Sequence, residues 1–369
     1  MTGSDQPRRR QPAEVLDLLT LDLASAEQLV HDLGWPRYHA QQILRWVYRK
    51  RVREIGAMTD LSKSQRSRLA AIAWIGRTDT PDILRSEDGT SKFLLRLQDG
   101  LIVETVLIPD SGRLTLCLST QVGCTLDCGF CLTGRMGLKR NLKAHEIVEQ
   151  VLTVQDHLEP EQRVTNLVLM GMGEPLANLD AVGQAVTRLR NATWGLGFPA
   201  RRMTLSTAGL APRLREVAAL GVNLAVSLNA TTNAQRDALM PAVNRLHPLE
   251  DLMAACRDYP LPPRRRLTFE YVLLAGVNDR EQDARRLAKL LNGIRCKVNL
   301  IPFNEFPGSA FRRPDDTEVL RFQSVLRQAG FDAFIRKSMG RDVLGACGQL
   351  GSLPGRPAAA AFTPVGAAT

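Results

Sequence analysis

The chain of 369 residues has no apolar run near the roughly 20 residues that a membrane-spanning helix needs. A helical membrane protein is therefore not expected. The opening stretch MTGSDQPRRRQPAEVLDLLT carries an arginine run followed by acids, where a secretory signal would need an uncharged apolar core. The expected location is the cytoplasm. Cysteine is scarce: seven in the whole chain, too few for a scaffold held by disulfides. Four of the seven nonetheless fall between positions 117 and 131. That crowding points to metal or redox chemistry rather than structural bridging. Histidine is missing from this neighbourhood, the nearest being His145.

What the chain does have is an ordinary soluble composition, 44% hydrophobic and 23% charged. Its length suits one large domain and a smaller one. Lysine and arginine exceed aspartate and glutamate by 48 to 38, a net charge of +10, so an acidic partner such as nucleic acid is the natural inference.

Residues 1–14 are polar with Arg8, Arg9 and Arg10, and read as disordered. Residues 15–80 read as a small basic helical domain. Ala40, Ile43, Leu44, Val47 and Tyr48 recur at helical spacing as one apolar face, with Arg45, Trp46, Arg49, Lys50, Arg51 and Arg53 on and around it. Those cations fit a solvated face and a nucleic-acid surface equally well. TDLSKSQRSRLAAIA (59–73) opens with a capping signal and continues as a second basic helix.

Near residue 80 the texture changes. Stretches 91–97, 101–108 and 113–119 read as strands with tight turns at Asp99-Gly100 and Ser111-Gly112. Strands are then expected at 164–170, 201–207, 221–228, 267–274, 297–303 and 333–337, with helical patterns between them. Strand and helix alternating about six times gives the expected fold: α/β, a partial (β/α)6 barrel over 81–350, with extra β-strands before the cysteine loop and the small helical domain in front. In such barrels chemistry sits at the C-terminal ends of the strands. Residues 351–369, rich in Pro, Ala and Gly, read as a disordered tail.

The stretch Cys124-Thr-Leu-Asp-Cys128-Gly-Phe130-Cys131 is C-x3-C-x2-C. Three thiolates on one short loop can hold three irons of a cubane and leave the fourth without a protein ligand. A structural zinc site would want four ligands; zinc, or free core cysteines, is the plainer alternative. The spacing, with an aromatic before the third cysteine, resembles the signature of the radical S-adenosylmethionine (SAM) enzymes. That resemblance implies a [4Fe-4S] cluster on Cys124, Cys128 and Cys131, whose open iron chelates SAM. MGMGEPLAN (170–178) resembles the superfamily's Gly-Glu-Pro motif, in which Gly173 and Glu174 would meet the SAM amino group. Ser206, Ser227 and Asn229 (with Leu228 between the last two) and Asn304 close further strands with side chains suited to ribose and carboxylate hydrogen bonds. Each taken alone is an ordinary loop residue.

The region from about 30 to 350 is similar to the RlmN/Cfr class of radical SAM RNA methyltransferases. The likeness rests on LIVETVLIP (101–109), CLSTQVGCTLDCGFC (117–131), LVLMGMGEPLAN (167–178), VSLNA (226–230) and GRDVLGACGQL (340–350). It implies methylation of C2 of an adenosine at the peptidyl-transferase centre of 23S rRNA, and of the adenosine 3′ of the anticodon in some tRNAs. The small basic N-terminal domain favours this branch over the C8-methylating branch. By the same resemblance Cys347 would carry an S-methyl group taken from one SAM, and a second SAM would be split reductively. Glu104 would remove the C2 proton, and Cys117 would free the RNA by forming a disulfide with Cys347. Flavodoxin is the expected electron donor and a monomer the expected state. A different class is a non-enzymatic RNA-binding protein with a structural metal. Cys256 and Cys296 match no motif and read as core residues. Arg264, Arg265 and Arg266 could meet RNA phosphates or lie on a solvated loop.

Overall fold

The computed structural model describes residues 15–351. The two stretches expected to be disordered lie outside it, except for Gly351. The chain divides into two compact units.

The first holds the described residues up to Arg77 together with Arg188–Gly197. Its helices are α1 (Leu23–Asp32), α2 (Tyr38–Tyr48) and α3 (Lys63–Ile72), and the strands β1 (Leu16–Asp17) and β2 (Ala73–Trp74) pair in parallel. Asp22 caps α1, and Ser62 with Gln65 forms a capping box on α3. Ala40, Ile43, Leu44, Val47 and Tyr48 of α2 are all buried, as their spacing predicts. The sequence did not reveal that Arg188, far along the chain, enters this core. Its guanidinium donates to the Tyr48 hydroxyl at 3.0 Å and to the Thr20 carbonyl at 3.0 Å. The Tyr48 hydroxyl itself donates to the Leu19 carbonyl at 2.8 Å. Burial pushes this phenol up to about 12.

The second unit is built on one ten-stranded sheet. Strands β3 (Asp82–Arg85), β4 (Ser91–Arg96), β5 (Ile102–Asp110) and β6 (Arg113–Cys117) run antiparallel to one another. A two-residue pair, β7 (Gln121–Val122) and β8 (Arg140–Asn141), brackets the cysteine loop. From β6 onward the sheet is parallel, through β9 (Asn166–Leu169), β10 (Met203–Thr207), β11 (Asn223–Ser227), β12 (Leu267–Leu273), β13 (Cys296–Pro302) and β14 (Ala333–Ile335). The order is β14-β13-β12-β11-β10-β9-β6-β5-β4-β3, so the sheet does not close on itself and forms a partial barrel. The crossovers carry α5 (Ala144–Asp156), α6 (Leu179–Arg190), α7 (Leu214–Leu220), α10 (Leu249–Arg257), α11 (Glu281–Leu291) and α12 (Asp316–Gln328). The inner parallel strands, β10 to β13, are largely buried on both faces, which is why they read as near-continuous apolar runs.

Two features differ from the sequence reading. Strand β3 is a short, half-exposed edge, DILR, too brief to carry a period-two signal. Between β11 and β12 lie two further short helices, α8 (Asn233–Leu239) and α9 (Pro241–Leu246), separated at Pro241.

Candidate active site

The cysteine loop begins two residues after β7 and ends at the short helix α4 (Leu132–Arg135). Cys124, Cys128 and Cys131 are half-buried against an apolar cluster that includes Phe130, Leu239, Met240, Val243 and Phe303. Much of that cover comes from α8 and α9. The Gly129 N–H donates to the Leu239 carbonyl at 3.0 Å, and the Ala242 N–H to Asp127 Oδ1 at 3.1 Å. Burial raises all three thiols, Cys124 up to about 12, and the neighbouring sulfurs push Cys124 and Cys128 in the same direction. Polar N–H groups oppose this. The Leu126 N–H donates to Cys124 Sγ at 3.4 Å. Cys131 is lowered by backbone bonds from Gly134 and Thr133 and by the Thr133 hydroxyl.

Among the described residues, no three His, Cys, Asp or Glu side chains gather as they would around a single ion. A cubane instead spreads three thiolates around a cluster, and N–H donors aimed at the sulfurs are what tunes such thiolates. One more charge lies close by. Arg236 is fully buried and bonded to the Ala208 and His247 carbonyls at 2.8 Å each and to Asn244 Oδ1 at 3.0 Å. Burial lowers it to about 10, and its charge reaches Cys128.

The expected SAM residues fall at the C-terminal ends of the parallel strands. Gly173 has φ +100°, and an added Cβ would stand 2.5 Å from Gln121 Cβ, so only glycine fits there. Glu174 is buried, which raises its carboxyl. It accepts from the Leu176 N–H at 2.9 Å and the Ala208 N–H at 2.7 Å, tying the loop after β9 to the loop after β10. The Ser206 and Ser227 hydroxyls lie 3.4 Å apart. Leu228 is buried and uses its N–H on the Glu270 carbonyl. Asn229 sits at φ 56°, its amide accepting from the Val272 N–H at 2.9 Å and facing Met240 Sδ at 3.5 Å. Asn304 donates to the Cys347 carbonyl at 3.1 Å, while its buried Oδ1 has no partner. A buried amide oxygen without a donor is costly alone and fits a pocket whose ligand brings one.

The remaining expected residues come together on one sheet face. The register sets Lys92 opposite Val106, Leu94 opposite Glu104 and Val106 opposite Cys117. Lys92, Glu104 and Cys117 therefore share a face. The segment 340–351, which carries Cys347, is fastened beside them. Cys117 is buried, and burial raises its thiol well above the usual range; the nearby Cys347 sulfur raises it further. Cys347 is reached by solvent, yet the surrounding protein raises its thiol, as does the charge of Glu270, with Arg336 opposing. Both hold for a sulfur set in an open recess, where water has access but much of the bulk is displaced. Both thiols are free in this structure.

Sequence reasoning missed Lys92. Its ammonium lies 3.4 Å from Glu104 Oε2, with side-chain exposures of 5% and 3%. The only sequence signal is a lysine directly before the apolar run Phe93–Leu95 of SKFLLR. Also missed were Glu270 and its 2.9 Å bond from Asn299. Cys256 and Cys296 are buried. Arg265 donates to the Gly221 carbonyl at 2.7 Å, and Arg266 pairs with Asp332. In the first unit, Arg45, Arg49, Lys50 and Thr193 line a recess of about 680 Å³.

A three-cysteine loop beside a partial barrel, with a polar pocket at the strand ends, defines the radical SAM class. The family model of the radical SAM superfamily matches residues 118–288, and that of the ribosomal RNA large subunit methyltransferase N-terminal domain matches 16–75. The chain is 51% identical over 329 residues to a dual-specificity RNA methyltransferase RlmN of Syntrophobacter fumaroxidans, covering 89% of this chain and 96% of that one. It is 47% identical over 355 residues to the same-named protein of Rhodospirillum rubrum, covering 94% and 82%. A crystal structure of a radical SAM methyltransferase from Sphaerobacter thermophilus superposes with a TM-score of 0.85 at 44% identity, over 90% of this chain and 98% of that one. The chain belongs to the RlmN family of radical SAM RNA methyltransferases. That membership implies a [4Fe-4S] cluster and SAM. Among the described residues no helix is long and apolar enough to cross a membrane.

Proposed function

We propose that this enzyme methylates C2 of an adenosine at the peptidyl-transferase centre of 23S rRNA, and the adenosine 3′ of the anticodon in some tRNAs, through an S-methyl group on Cys347. It works in the cytoplasm as a monomer, with a donor such as flavodoxin. The observation that carries this reading is that the segment bearing Cys347 hydrogen-bonds, through the Gly351 N–H, to the buried Glu104 on the sheet face that also carries Cys117, more than 200 residues away in the chain. C2 of adenine is electron-poor and no nucleophile, so a methyl group must first be parked on a residue that is one. An accessible thiol is such a residue. Cys124, Cys128 and Cys131 would hold the cluster and Gly173, Glu174, Ser206, Ser227, Leu228, Asn229 and Asn304 would hold SAM, and the two together would supply the one-electron chemistry that activates the S-methyl group.

The residues then divide the work. Cys347 presents the activated carbon, which bonds to C2. Glu104 takes the C2 proton, and the C–H electron pair restores the aromatic ring as the adduct's one unpaired electron leaves, for which the oxidised cluster would be the acceptor. Cys117, once ionised, attacks the linking sulfur; an S–S bond to Cys347 forms, the C–S bond breaks, and its electron pair leaves on carbon, which is protonated to methyl. The name of the relatives, dual-specificity RNA methyltransferase, supports two RNA substrates. Nucleoside analysis of rRNA and tRNA from cells with and without the gene tests the reading. Loss of 2-methyladenosine from both RNAs is expected. Loss of 8-methyladenosine instead would overturn the regiochemistry.

A further inference from the structure

We propose that Lys92 is the positioning residue for the base Glu104, holding it in register with the loop that carries Cys347. The inference rests on the reading of Glu104 as the base. Four contacts carry it. The Lys92 ammonium stands 3.4 Å from Glu104 Oε2 and donates to the Leu344 carbonyl at 3.3 Å. The Gly351 N–H donates to the same Oε2 at 3.1 Å. The Ser119 hydroxyl donates to the Glu104 carbonyl at 2.5 Å, fixing its backbone. Leu344 and Gly351 flank Cys347 on either side. One buried ion pair therefore grips both ends of the methyl-carrying loop.

The chemistry follows from which oxygen is used. Both contacts to the carboxylate fall on Oε2, which orients it and leaves Oε1 to take the proton. Burying a carboxylate this deeply is costly unless a cation is paired with it, and among the described residues no arginine or other lysine forms an ion pair with Glu104. The diagonal placement of Lys92 and Glu104 on adjacent antiparallel strands puts the two side chains on one face within reach. The contacts of Lys92 are to Glu104 and to the Leu344 carbonyl, so its part is positional. The antiparallel strands before the cysteine loop thereby serve the reaction directly, because they carry the base and its counter-charge.

The test uses the iron-loaded full chain and a transcript of the target rRNA segment. Lys92→Met and Glu104→Gln are assayed for iron, for S-methyl on Cys347 by mass spectrometry, and for protein–RNA adduct on denaturing gels. For Lys92→Met, iron and S-methylation at wild-type level are expected, with 2-methyladenosine down at least tenfold and adduct accumulating as in Glu104→Gln. Lys92→Arg, which keeps the charge, should give an adduct level between those of the wild type and Lys92→Met. A purely structural lysine would lower iron and S-methylation together and trap no adduct. Wild-type product from Lys92→Met, or lost product without adduct, overturns the inference. If Lys92→Met does not fold, Lys92→Arg decides: excess adduct supports it and a wild-type level overturns it. If Glu104→Gln itself traps no adduct, the base reading fails. If Glu104→Gln traps adduct and Lys92→Met does not, only the role of Lys92 falls.

Discussion

Two cysteine-bearing loops meet at this site, and they are built in opposite ways. The loop of Cys124, Cys128 and Cys131 is local: its sulfurs lie within eight residues, and its N–H donors come from Leu126, Thr133 and Gly134. The loop of Cys347 is held from afar. Asp342 accepts from the Ser86 hydroxyl at 2.6 Å, and Asp88 accepts from the Gly340 N–H at 2.7 Å. Leu344 and Gly351 meet Lys92 and Glu104. The Leu132 N–H donates to the Gly348 carbonyl at 2.8 Å, and Gln349 to the Glu305 carbonyl at 2.6 Å. A metal-binding loop needs fixed spacing along the chain. A loop with the proposed task of carrying a carbon from cofactor to RNA needs fixed placement against several surfaces.

The contrast breaks most sharply at the ligands. Replacing Cys124, Cys128 or Cys131 with alanine should remove the iron and the brown colour, and reduce methylation to background. Iron retained at full stoichiometry by any one variant would show that the local loop is not the ligand set. Cys347→Ala should separate the loops: iron content stays at wild type while methyl transfer falls to background. If iron falls as well, the two loops are one structural unit, not two. Cys117→Ala should sit further along the same path and be isolated cross-linked to RNA. A free, fully active Cys117→Ala enzyme would remove the resolving role.

The same contrast explains what could be read from the sequence. C-x3-C-x2-C and MGMGEPLAN are legible because their chemistry depends on neighbours in the chain, and the strands are legible because burial on both faces makes them apolar. Resemblance to a family was needed for Glu104 and Cys347. On residues alone, Glu104 between valine and threonine is a charge on a strand, and Cys347 a cysteine near the chain's end. Lys92 stayed invisible because its meaning lies in a register two strands wide. The same holds for Arg236 and Arg188, whose partners are mostly carbonyls that no side-chain pattern announces. Helices α8 and α9 were missed because each is under eight residues and takes its stability from the cysteine loop it covers.

A smaller effect tests how firmly the distant loop is tethered. Gly340 lies at φ +70°, and an added Cβ would stand 2.7 Å from Thr90 Cγ2. Gly340→Ala should destabilise the segment by about 1–3 kcal/mol through backbone strain. Hydrogen exchange across 340–351 should quicken while iron content stays unchanged. Unchanged exchange would mean that the β3–β4 turn does not hold the loop. Asp342→Asn weakens a charged hydrogen bond at the same turn and should cost roughly 1 kcal/mol by the same measurement.

The smallest expected effect is in thiol reactivity, and its sign follows from burial. The thiolate is the reactive form, and burial raises both Cys117 and Cys347, so at neutral pH each should alkylate more slowly than a free thiol. Both rates should climb as pH rises, because the raised pKa moves thiolate formation to alkaline solution. Access separates the two: Cys347 is exposed and Cys117 buried, so iodoacetamide at about pH 8 should label Cys347 first. With Cys347 replaced by alanine, Cys117 loses a neighbouring sulfur whose charge opposes its ionisation, and its labelling should speed up modestly. Peptide mass spectrometry of the time course reads all three expectations. Equal labelling of the two cysteines in the wild type would mean that Cys117 is not shielded. The proposed order, in which Cys117 waits until the RNA adduct has formed, would then need another source of timing.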